Sequence, residues 1–217
     1  MPDSRAVTAT MSTIFQVTAK ARLHDIVDSS PFGLIVAIDE RSAPVFAHAP
    51  MLLTRNAGAH GLLRAHLAIR NPIVPCLSWR RECAVIFWGP NAYVSPSWYE
   101  APSEHVPTWN YIVVEARCSV ASIHGQADLS ALLQDMSRQF EFPSSGWSYE
   151  GMPASLKQKL ETEIVGFSLS IDALIGRFKL SQKRSRSDRA RVIDRLSKES
   201  SADSQELANA MLSFYSE

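Results

Sequence analysis

The chain has 217 residues, 46% of them hydrophobic, which is enough to build the core of one large domain or two small ones. Lys and Arg together number 22, as do Asp and Glu, so no overall field directs the chain to nucleic acid or to an anionic membrane. Apolar runs are much shorter than the roughly 20 residues of a membrane helix, and the N-terminus lacks the apolar core of a signal peptide. We therefore expect a globular cytoplasmic protein with no membrane partner.

Short apolar runs alternate with turn residues through the first two thirds of the chain, which is typical of antiparallel β structure. The run from Tyr111 to Ile123 is the clearest, because its even-numbered residues up to Val120 are small or apolar while Glu115, Arg117 and Ser119 are polar. The predicted strands are Phe32 to Ile38, Val45 to Leu53, Leu62 to Ile69, Cys83 to Trp88, Ala92 to Ser95 and Tyr111 to Ile123.

The pattern becomes helical from Gln126 onward. One helix is indicated by Leu129, Leu132, Leu133, Met136 and Phe140, and a second, beginning near Pro153, by Leu156, Leu160 and Ile164. Two more helices are predicted over Ser185 to Leu196 and Ser204 to Phe214, and Ile164 to Ile171 is a candidate strand. The predicted fold class is mainly β with added helices (α+β), an antiparallel barrel with helices toward the C-terminus.

The segment "LLRAHLAIRNP" is the first candidate binding feature. Side chains alternate along a strand, so Arg64, His66, Ala68 and Arg70 are predicted to share one face. Two guanidinium groups and an imidazole can bind a phosphate through charge-assisted hydrogen bonds. The alternative, which the pattern alone favours, is a solvated face with no ligand.

A second candidate is the basic segment from Gly176 to Leu196. Ser185, followed by Asp188 three residues later, indicates a helix start, and the preceding loop "KLSQK" supplies donors that suit an anion. The alternatives are a cationic helix surface with no ligand and, less favoured, a patch that contacts DNA.

The third candidate is the stretch "GPNAYVSPSWYEAPSEHVPTWNY", which combines two Trp and three Tyr with Ser95, Ser97, Thr108 and Asn110. Aromatic plates with polar groups between them suit a planar heteroaromatic ligand. The alternative is that Trp98, Tyr99 and Trp109 fill a core or a subunit interface.

The motifs of common enzyme classes are absent from the sequence, including the nucleophile elbow, the Walker loop and the dinucleotide fingerprint. Catalytic residues therefore stay unknown. The cysteines Cys76, Cys83 and Cys118 form no Cys-x-x-Cys pair and lack His at zinc spacing, so we expect reduced core residues and no metal site.

Three segments together resemble the PaiB-type FMN-binding negative transcriptional regulators, a branch of the FMN-binding split-barrel proteins. They are "GPNAYVSPSWY", "VPTWNYIVVEARC" and "IVGFSLSIDALIGRFKLSQKRSRSDRARVIDRL", and the resemblance runs from about Phe32 to Leu196. It implies a split β-barrel over residues 31–197, an N-terminal extension over 1–30 and a C-terminal helix or tail over 198–217.

The resemblance also implies a homodimer with FMN near the subunit interface. The implied cofactor-binding residues are Arg64, His66, Ser95, Ser97, Trp98, Tyr99, Thr108, Trp109, Asn110, Lys179, Ser181 and Gln182. Arg64 and His66 would lie on the phosphate side. Here "AHLAIRNP" carries Ile69 where the family strand usually carries Arg, and Phe140 and Phe142 stand where a polar segment is usual.

Three functions follow as hypotheses. The first is an FMN-binding regulator, for which direct DNA binding is possible by resemblance but is not supported by the zero net charge. The second is an FMN-dependent oxidoreductase such as a flavin reductase, in which Lys179 or Arg64 would stabilise the reduced anionic flavin. The third, least favoured, is a haem-binding protein with His66 or His105 as axial ligand.

Overall fold

The computed structural model describes residues 13–79, 81–142 and 144–216. Within these residues eight strands form an antiparallel sheet in the order β3-β2-β6-β7-β8-β5-β4, with β1 paired to β8. The strands are β1 (Gln16–Val17), β2 (Phe32–Ile38), β3 (Pro44–Pro50), β4 (Leu52–Thr54), β5 (Leu62–Ala68), β6 (Glu82–Val94), β7 (Thr108–Ile123) and β8 (Ile164–Lys179). The helices are α1 (Lys20–Ser29), α2 (Ile73–Trp79), α3 (Gln126–Phe140), α4 (Ala154–Glu161), α5 (Arg186–Lys198) and α6 (Ala202–Ser216).

The alternating pattern of β7 is confirmed. Its buried residues include Ile112, Val114, Ala116, Cys118 and Val120, so one face of the strand packs in a core. The two runs predicted on either side of Gly89 are one continuous strand, β6, and the candidate strand at Ile164 extends to Lys179. The fold class predicted from the sequence, an antiparallel split β-barrel with C-terminal helices, is confirmed.

Two helices were not predicted, α1 and α2. Each has few residues, and α1 presents only Leu23 and Val27 as buried aliphatic side chains, so the apolar period is too short to stand out.

The apolar stripe predicted for α4 does not pack in a core. Leu156 and Leu160 are exposed, and Ile164 belongs to β8. The buried residue of α4 is instead Glu161, whose carboxylate accepts hydrogen bonds from Ser130 at 2.9 Å and from Gln126 and Tyr149. A polar contact with α3 and the loop after it therefore holds this helix in place.

The prediction that Arg70 shares the face of Arg64 is wrong. β5 ends at Ala68, and the backbone N–H of Asn71 donates to the Ala68 carbonyl at 2.9 Å to form a turn. Side-chain alternation stops with the strand, so Ile69 and Arg70 lie in an exposed turn.

The described residues form two compact units, and the three long strands contribute to both. The larger unit comprises residues 19–87 and 114–174, with Ile35, Leu63 and Phe167 in its core. The smaller unit comprises residues 13–18, 88–113 and 175–216, and its core includes Leu180 and Val192. None of the helices in the described part of the chain is long and apolar enough to span a membrane.

Candidate functional site

A cavity of about 180 Å³ in the smaller unit brings together half of the residues predicted to bind the cofactor. These are Tyr99, Thr108, Asn110, Lys179, Ser181 and Gln182. Phe15, Lys183 and Arg184 complete the described lining. The charged residues in this described lining are all basic: Lys179, Lys183 and Arg184. We therefore call it the cationic cavity.

Two strand ends and one turn build the cationic cavity. Thr108 begins β7 and Lys179 ends β8, and the Lys179 ammonium donates a hydrogen bond to the Thr108 hydroxyl. Ser181 follows in the left-handed region at φ 65°, which non-glycine residues seldom adopt. The Arg184 N–H donates to the Ser181 carbonyl at 2.9 Å and closes the turn. Such strain is most often found at functional sites.

The same turn is secured by neighbouring polar groups. The Leu180 N–H donates to the Gln182 side-chain oxygen at 2.7 Å, and the Gln182 amide donates to the Phe178 carbonyl. The Tyr215 hydroxyl of α6 donates to the Leu180 carbonyl at 2.7 Å. The side chain of Gln182, a predicted cofactor-binding residue, therefore stabilises the backbone of this turn.

Two buried polar atoms of the cationic cavity have no hydrogen-bond partner among the described residues. Asn110 is fully buried, and its amide nitrogen donates to the Ser181 hydroxyl at 2.8 Å while its Oδ1 is unpaired. The hydroxyl of Tyr99, a residue 3% exposed, is also unpaired. Because nearly all buried polar atoms in proteins have partners, these two atoms are candidates to contact a polar ligand; Arg64 Nε and His124 Nδ1 of the larger unit are unpaired as well.

The charge of the cationic cavity is only weakly compensated. Burial, and to a lesser extent the charge of Arg184, lowers the pKa of Lys179 below its ordinary value of 10.5. Arg184 lies 4.7 Å from the Tyr99 ring centroid and donates to His105 Nδ1 at 2.8 Å. Since none of the described lining residues is Asp or Glu, an anionic group would find attractive charge here.

Trp98 and Trp109 line a different cavity of the smaller unit, about 320 Å³ in volume, together with Glu199 and Asp203. Tyr93 also lines it and packs edge-on against Trp109, with ring centroids 6.3 Å apart. The two carboxylates disfavour a phosphate at this place.

Ser95 and Ser97 form the cap of a short turn in the smaller unit. The Ser95 hydroxyl accepts from the Ser97 N–H at 3.2 Å and lies 2.8 Å from the Ser97 hydroxyl, so it begins the single turn Pro96–Trp98. Their position is thus explained by local structure.

Arg64 and His66 lie in the larger unit and share one face of β5, as predicted. Arg64 forms an ion pair with Asp135 at 2.8 Å. His66 Nδ1 lies 3.3 Å from the sulfur of Met136, and burial lowers the pKa of the imidazole. Both side chains therefore contact α3.

The predicted start of α5 is confirmed, because the Ser185 hydroxyl accepts from the Asp188 N–H at 3.0 Å. Several of the helix's cations already have partners. Arg189 lies 4.4 Å from the Tyr215 ring centroid, Arg191 is 3.7 Å from Glu100, and Lys198 is 2.6 Å from Asp194.

The predicted cofactor-binding residues did not include Phe15, Lys183 or Arg184, and His105 was considered only as a haem ligand. The signal for Lys183 and Arg184 was present, because Lys183 ends the loop "KLSQK" that was predicted to suit an anion and Arg184 follows it in the same basic segment. Phe15, which lies under the Lys183 ammonium at 5.6 Å, had no signal in its local pattern.

Comparison with known proteins identifies the class. Residues 11–173 match the family described as "Putative FMN-binding domain". The match begins well before Phe32, so the N-terminal segment contributes to it although no motif was visible there. The chain belongs to this FMN-binding family, and FMN is its cofactor.

The relatives place the chain within the family. It is 30% identical over 200 residues to the Bacillus subtilis "Protease synthase and sporulation protein PAI 2", covering 91% of this chain and 93% of the relative. The resemblance to PaiB-type proteins seen in the sequence is thereby confirmed.

Two solved structures share the fold. The FAD and heme binding protein from Mycobacterium smegmatis has a TM-score of 0.59 at 16% identity, covering 81% of this chain and 78% of that one. The flavocytochrome Anf3 from Azotobacter vinelandii has a TM-score of 0.57 at 12% identity, covering 81% and 75%.

The residues of the cationic cavity fit FMN. Basic side chains and hydroxyls suit its phosphate, and the unpaired Asn110 oxygen is an acceptor suited to a ribityl hydroxyl.

Proposed function

We propose that the protein is an FMN-binding regulator of the PaiB type, and that the cationic cavity binds the phosphate end of its flavin. The observation that supports this site most strongly is the pair of unpaired buried atoms, Asn110 Oδ1 and the Tyr99 hydroxyl, beside three basic side chains. The remaining residues predicted from the family resemblance, including Arg64, His66, Trp98 and Trp109, stay predictions.

The size of the cationic cavity favours the phosphate over the ring system. Pockets that enclose a drug-sized ligand usually measure about 300 to 1,000 Å³. A cavity of about 180 Å³ suits one end of FMN. The flavin ring would then lie outside it.

Each lining residue has a separate task in this proposal. Lys179 and Arg184 supply positive charge, Tyr99 donates a hydrogen bond to a phosphate oxygen, and Asn110 accepts from the ribityl chain. Thr108 and Ser181 hold Lys179 and Asn110 through the hydrogen bonds described above. FMN supplies electron-transfer chemistry when bound, so the chain needs no acid or base of its own for that chemistry.

A homodimer is part of the proposal, and exposed aromatic residues of the smaller unit support it. Trp88, Tyr93 and Trp109 are each about half exposed, at 48%, 47% and 54%. Large exposed aromatic side chains often mark a protein interface. We expect Trp88→Arg and Trp109→Arg to convert a dimer to a monomer in sedimentation equilibrium. Trp147→Arg, at a similarly exposed Trp of the larger unit, is the control.

The regulatory role is supported by the relationship to the Bacillus protein. The balanced net charge and the partners of Arg189, Arg191 and Lys198 argue that α5 alone would bind DNA weakly. We therefore expect regulation to require the flavin-loaded dimer or a partner protein.

A binding experiment tests this role. The FMN-loaded and FMN-free proteins are compared in gel-shift assays with DNA upstream of the protein's own gene, at moderate salt. A shift that depends on FMN and is lost in Lys179→Met supports the proposal. Equal absence of binding in both forms, also with cell extract added, contradicts the regulatory role while leaving FMN binding intact.

An oxidoreductase is the second candidate, because Lys179 and Arg184 could stabilise an anionic flavin if its ring edge entered the cationic cavity. Anaerobic bleaching of the bound flavin by NADH or NADPH would favour it. Haem binding has less support, since His105 Nδ1 already accepts from Arg184 and His66 Nδ1 contacts Met136. A Soret band that disappears in His66→Ala or His105→Ala would revive it.

A further inference from the structure

Two cysteines on neighbouring strands of the larger unit face each other. The Val120 N–H of β7 donates to the Arg81 carbonyl at 2.8 Å, immediately before β6 begins. Counting along the two antiparallel strands from this pair places Cys83 directly opposite Cys118. Opposed residues of this hydrogen-bonded type have Cα atoms about 5.5 Å apart, which lies within the roughly 4.4 to 6.8 Å range of disulfides.

The side chains of the two cysteines also meet. Both are free thiols and both are buried on the core face of their strands. Among the causes that raise the pKa of the Cys118 thiol, the contribution of Cys83 is the largest. The two sulfur atoms are therefore already neighbours in the reduced protein.

A cavity of about 510 Å³, large enough to admit a small molecule, lies beside the two cysteines. Cys83 and Cys118 both line it, together with the charged residues Glu82, Arg117 and Asp172. The third cysteine, Cys76, lies on α2, where its sulfur is 3.7 Å from the Pro72 carbonyl, and it is not part of this lining. The pair differs in this respect from an ordinary core cysteine.

We propose that Cys83 and Cys118 form a two-thiol redox site that a hydroperoxide converts to an intramolecular disulfide. One thiolate attacks a peroxide oxygen and the O–O bond breaks; the cysteine becomes a sulfenic acid, and the other peroxide oxygen takes up a proton and leaves as an alcohol or water. The second thiol then displaces the sulfenic oxygen as water and forms the S–S bond. The two sulfur atoms lose two electrons in total, and the peroxide accepts them.

The surroundings make this reaction slow at neutral pH. The neighbouring Cys83, then burial, and further the negative charge of Asp172, raise the pKa of the Cys118 thiol. Because the thiolate is the reactive form, we expect the rate to rise up to about tenfold per pH unit below the thiol pKa.

Peroxide treatment of the folded protein tests the proposal. Hydrogen peroxide is applied at pH 7 and pH 9, remaining thiols are alkylated under denaturing conditions, and peptides are mapped by mass spectrometry. We expect loss of two of three thiols, a linked peptide containing Cys83 and Cys118, and faster reaction at pH 9. Three persisting thiols, or over-oxidation of one cysteine without a cross-link, would overturn the proposal.

Single variants separate this pair from the third cysteine. Cys76→Ala should still form the cross-link, whereas Cys83→Ala and Cys118→Ala should not. If a variant of the pair does not fold, the wild type and Cys76→Ala still decide the matter. A cross-link that includes Cys76 would contradict the assignment, because its position on α2 is separate from the strand pair.

Discussion

The basic side chains of the two units differ in the charge of their hydrogen-bond partners. In the larger unit Arg64 is paired with the carboxylate of Asp135 at 2.8 Å. In the smaller unit Lys179 is hydrogen-bonded to the neutral hydroxyl of Thr108, and Lys183 and Arg184 line the same cavity. A cation beside a carboxylate has much of its field cancelled, whereas a cation beside a neutral group keeps it available for a ligand. The presence of basic residues alone therefore does not distinguish a binding site from a structural contact.

The largest expected effect is at Lys179. Because a hydrogen bond to a charged group contributes about 1.5 to 3 kcal/mol, Lys179→Met should weaken FMN binding about 10- to 100-fold. Lys179→Arg should retain part of the affinity. Isothermal titration calorimetry measures both, and a cooperative thermal transition without FMN, with a midpoint no lower than that of the wild type, shows that the fold is intact. If Lys179→Met bound FMN as tightly as the wild type, the proposed difference between Lys179 and Arg64 would be contradicted.

The affinity for FMN should also depend on pH through the same side chain. Because the pKa of Lys179 is lowered, its ammonium loses its proton below the ordinary value of 10.5 as pH rises. FMN binding should therefore be strong near neutrality and decline in the alkaline range, by no more than the effect of Lys179→Met. The stability of the FMN-free protein changes in the opposite direction. Its free energy of unfolding should rise over the same alkaline range, because deprotonation of Lys179 removes a buried charge.

Titrations of Lys179→Met across the same pH range provide the control, because the flavin's own ionisation is the same in both proteins. An identical alkaline decline in wild type and variant would show that Lys179 is not the titrating group.

A smaller effect is expected at Asn110. Its Oδ1 is unpaired in the described structure, and a neutral hydrogen bond contributes about 1 kcal/mol, so Asn110→Ala should weaken FMN binding about fivefold. Riboflavin retains the ribityl hydroxyls, so the affinity for riboflavin should fall by a similar factor in Asn110→Ala. Ser181→Ala, which removes only the partner of the Asn110 amide, should have less effect on either flavin. If Ser181→Ala weakened flavin binding more than Asn110→Ala, Asn110 would have only a structural role.

The smallest effect is expected at Arg64. Because Asp135 already compensates its charge, Arg64→Met should change the affinity for FMN less than about threefold, and partly exposed ion pairs contribute only about 1 kcal/mol or less to stability. Asp135→Asn sharpens the test. If the ion pair with Asp135 is all that prevents Arg64 from binding the phosphate, removing the carboxylate should strengthen FMN binding.

Much of the fold could be predicted because its signals are local. The alternation in β7 and the heptad-like spacing in α3 depend on residues close in sequence, and both elements lie where predicted. The exposed stripe of Leu156 and Leu160 shows the limit, since helical spacing does not reveal which face a neighbour covers.

The candidate site could be predicted only in part. The aromatic and basic segments identified Tyr99, Asn110 and Lys179, which the fold brings to one cavity. The charge partners could not be read from the sequence, because Arg64 and Asp135 are 71 residues apart. For the same reason the acidic neighbours of Trp98 and Trp109 were not expected.

The most direct test compares FMN with riboflavin, which lacks the phosphate, in wild type, Lys179→Met and Arg64→Met. Dissociation constants are measured by flavin fluorescence under identical conditions. Wild type and Arg64→Met should prefer FMN, and Lys179→Met should lose most of that preference. A preference that survives in Lys179→Met and disappears in Arg64→Met would place the phosphate on β5 and contradict the assignment of the cationic cavity.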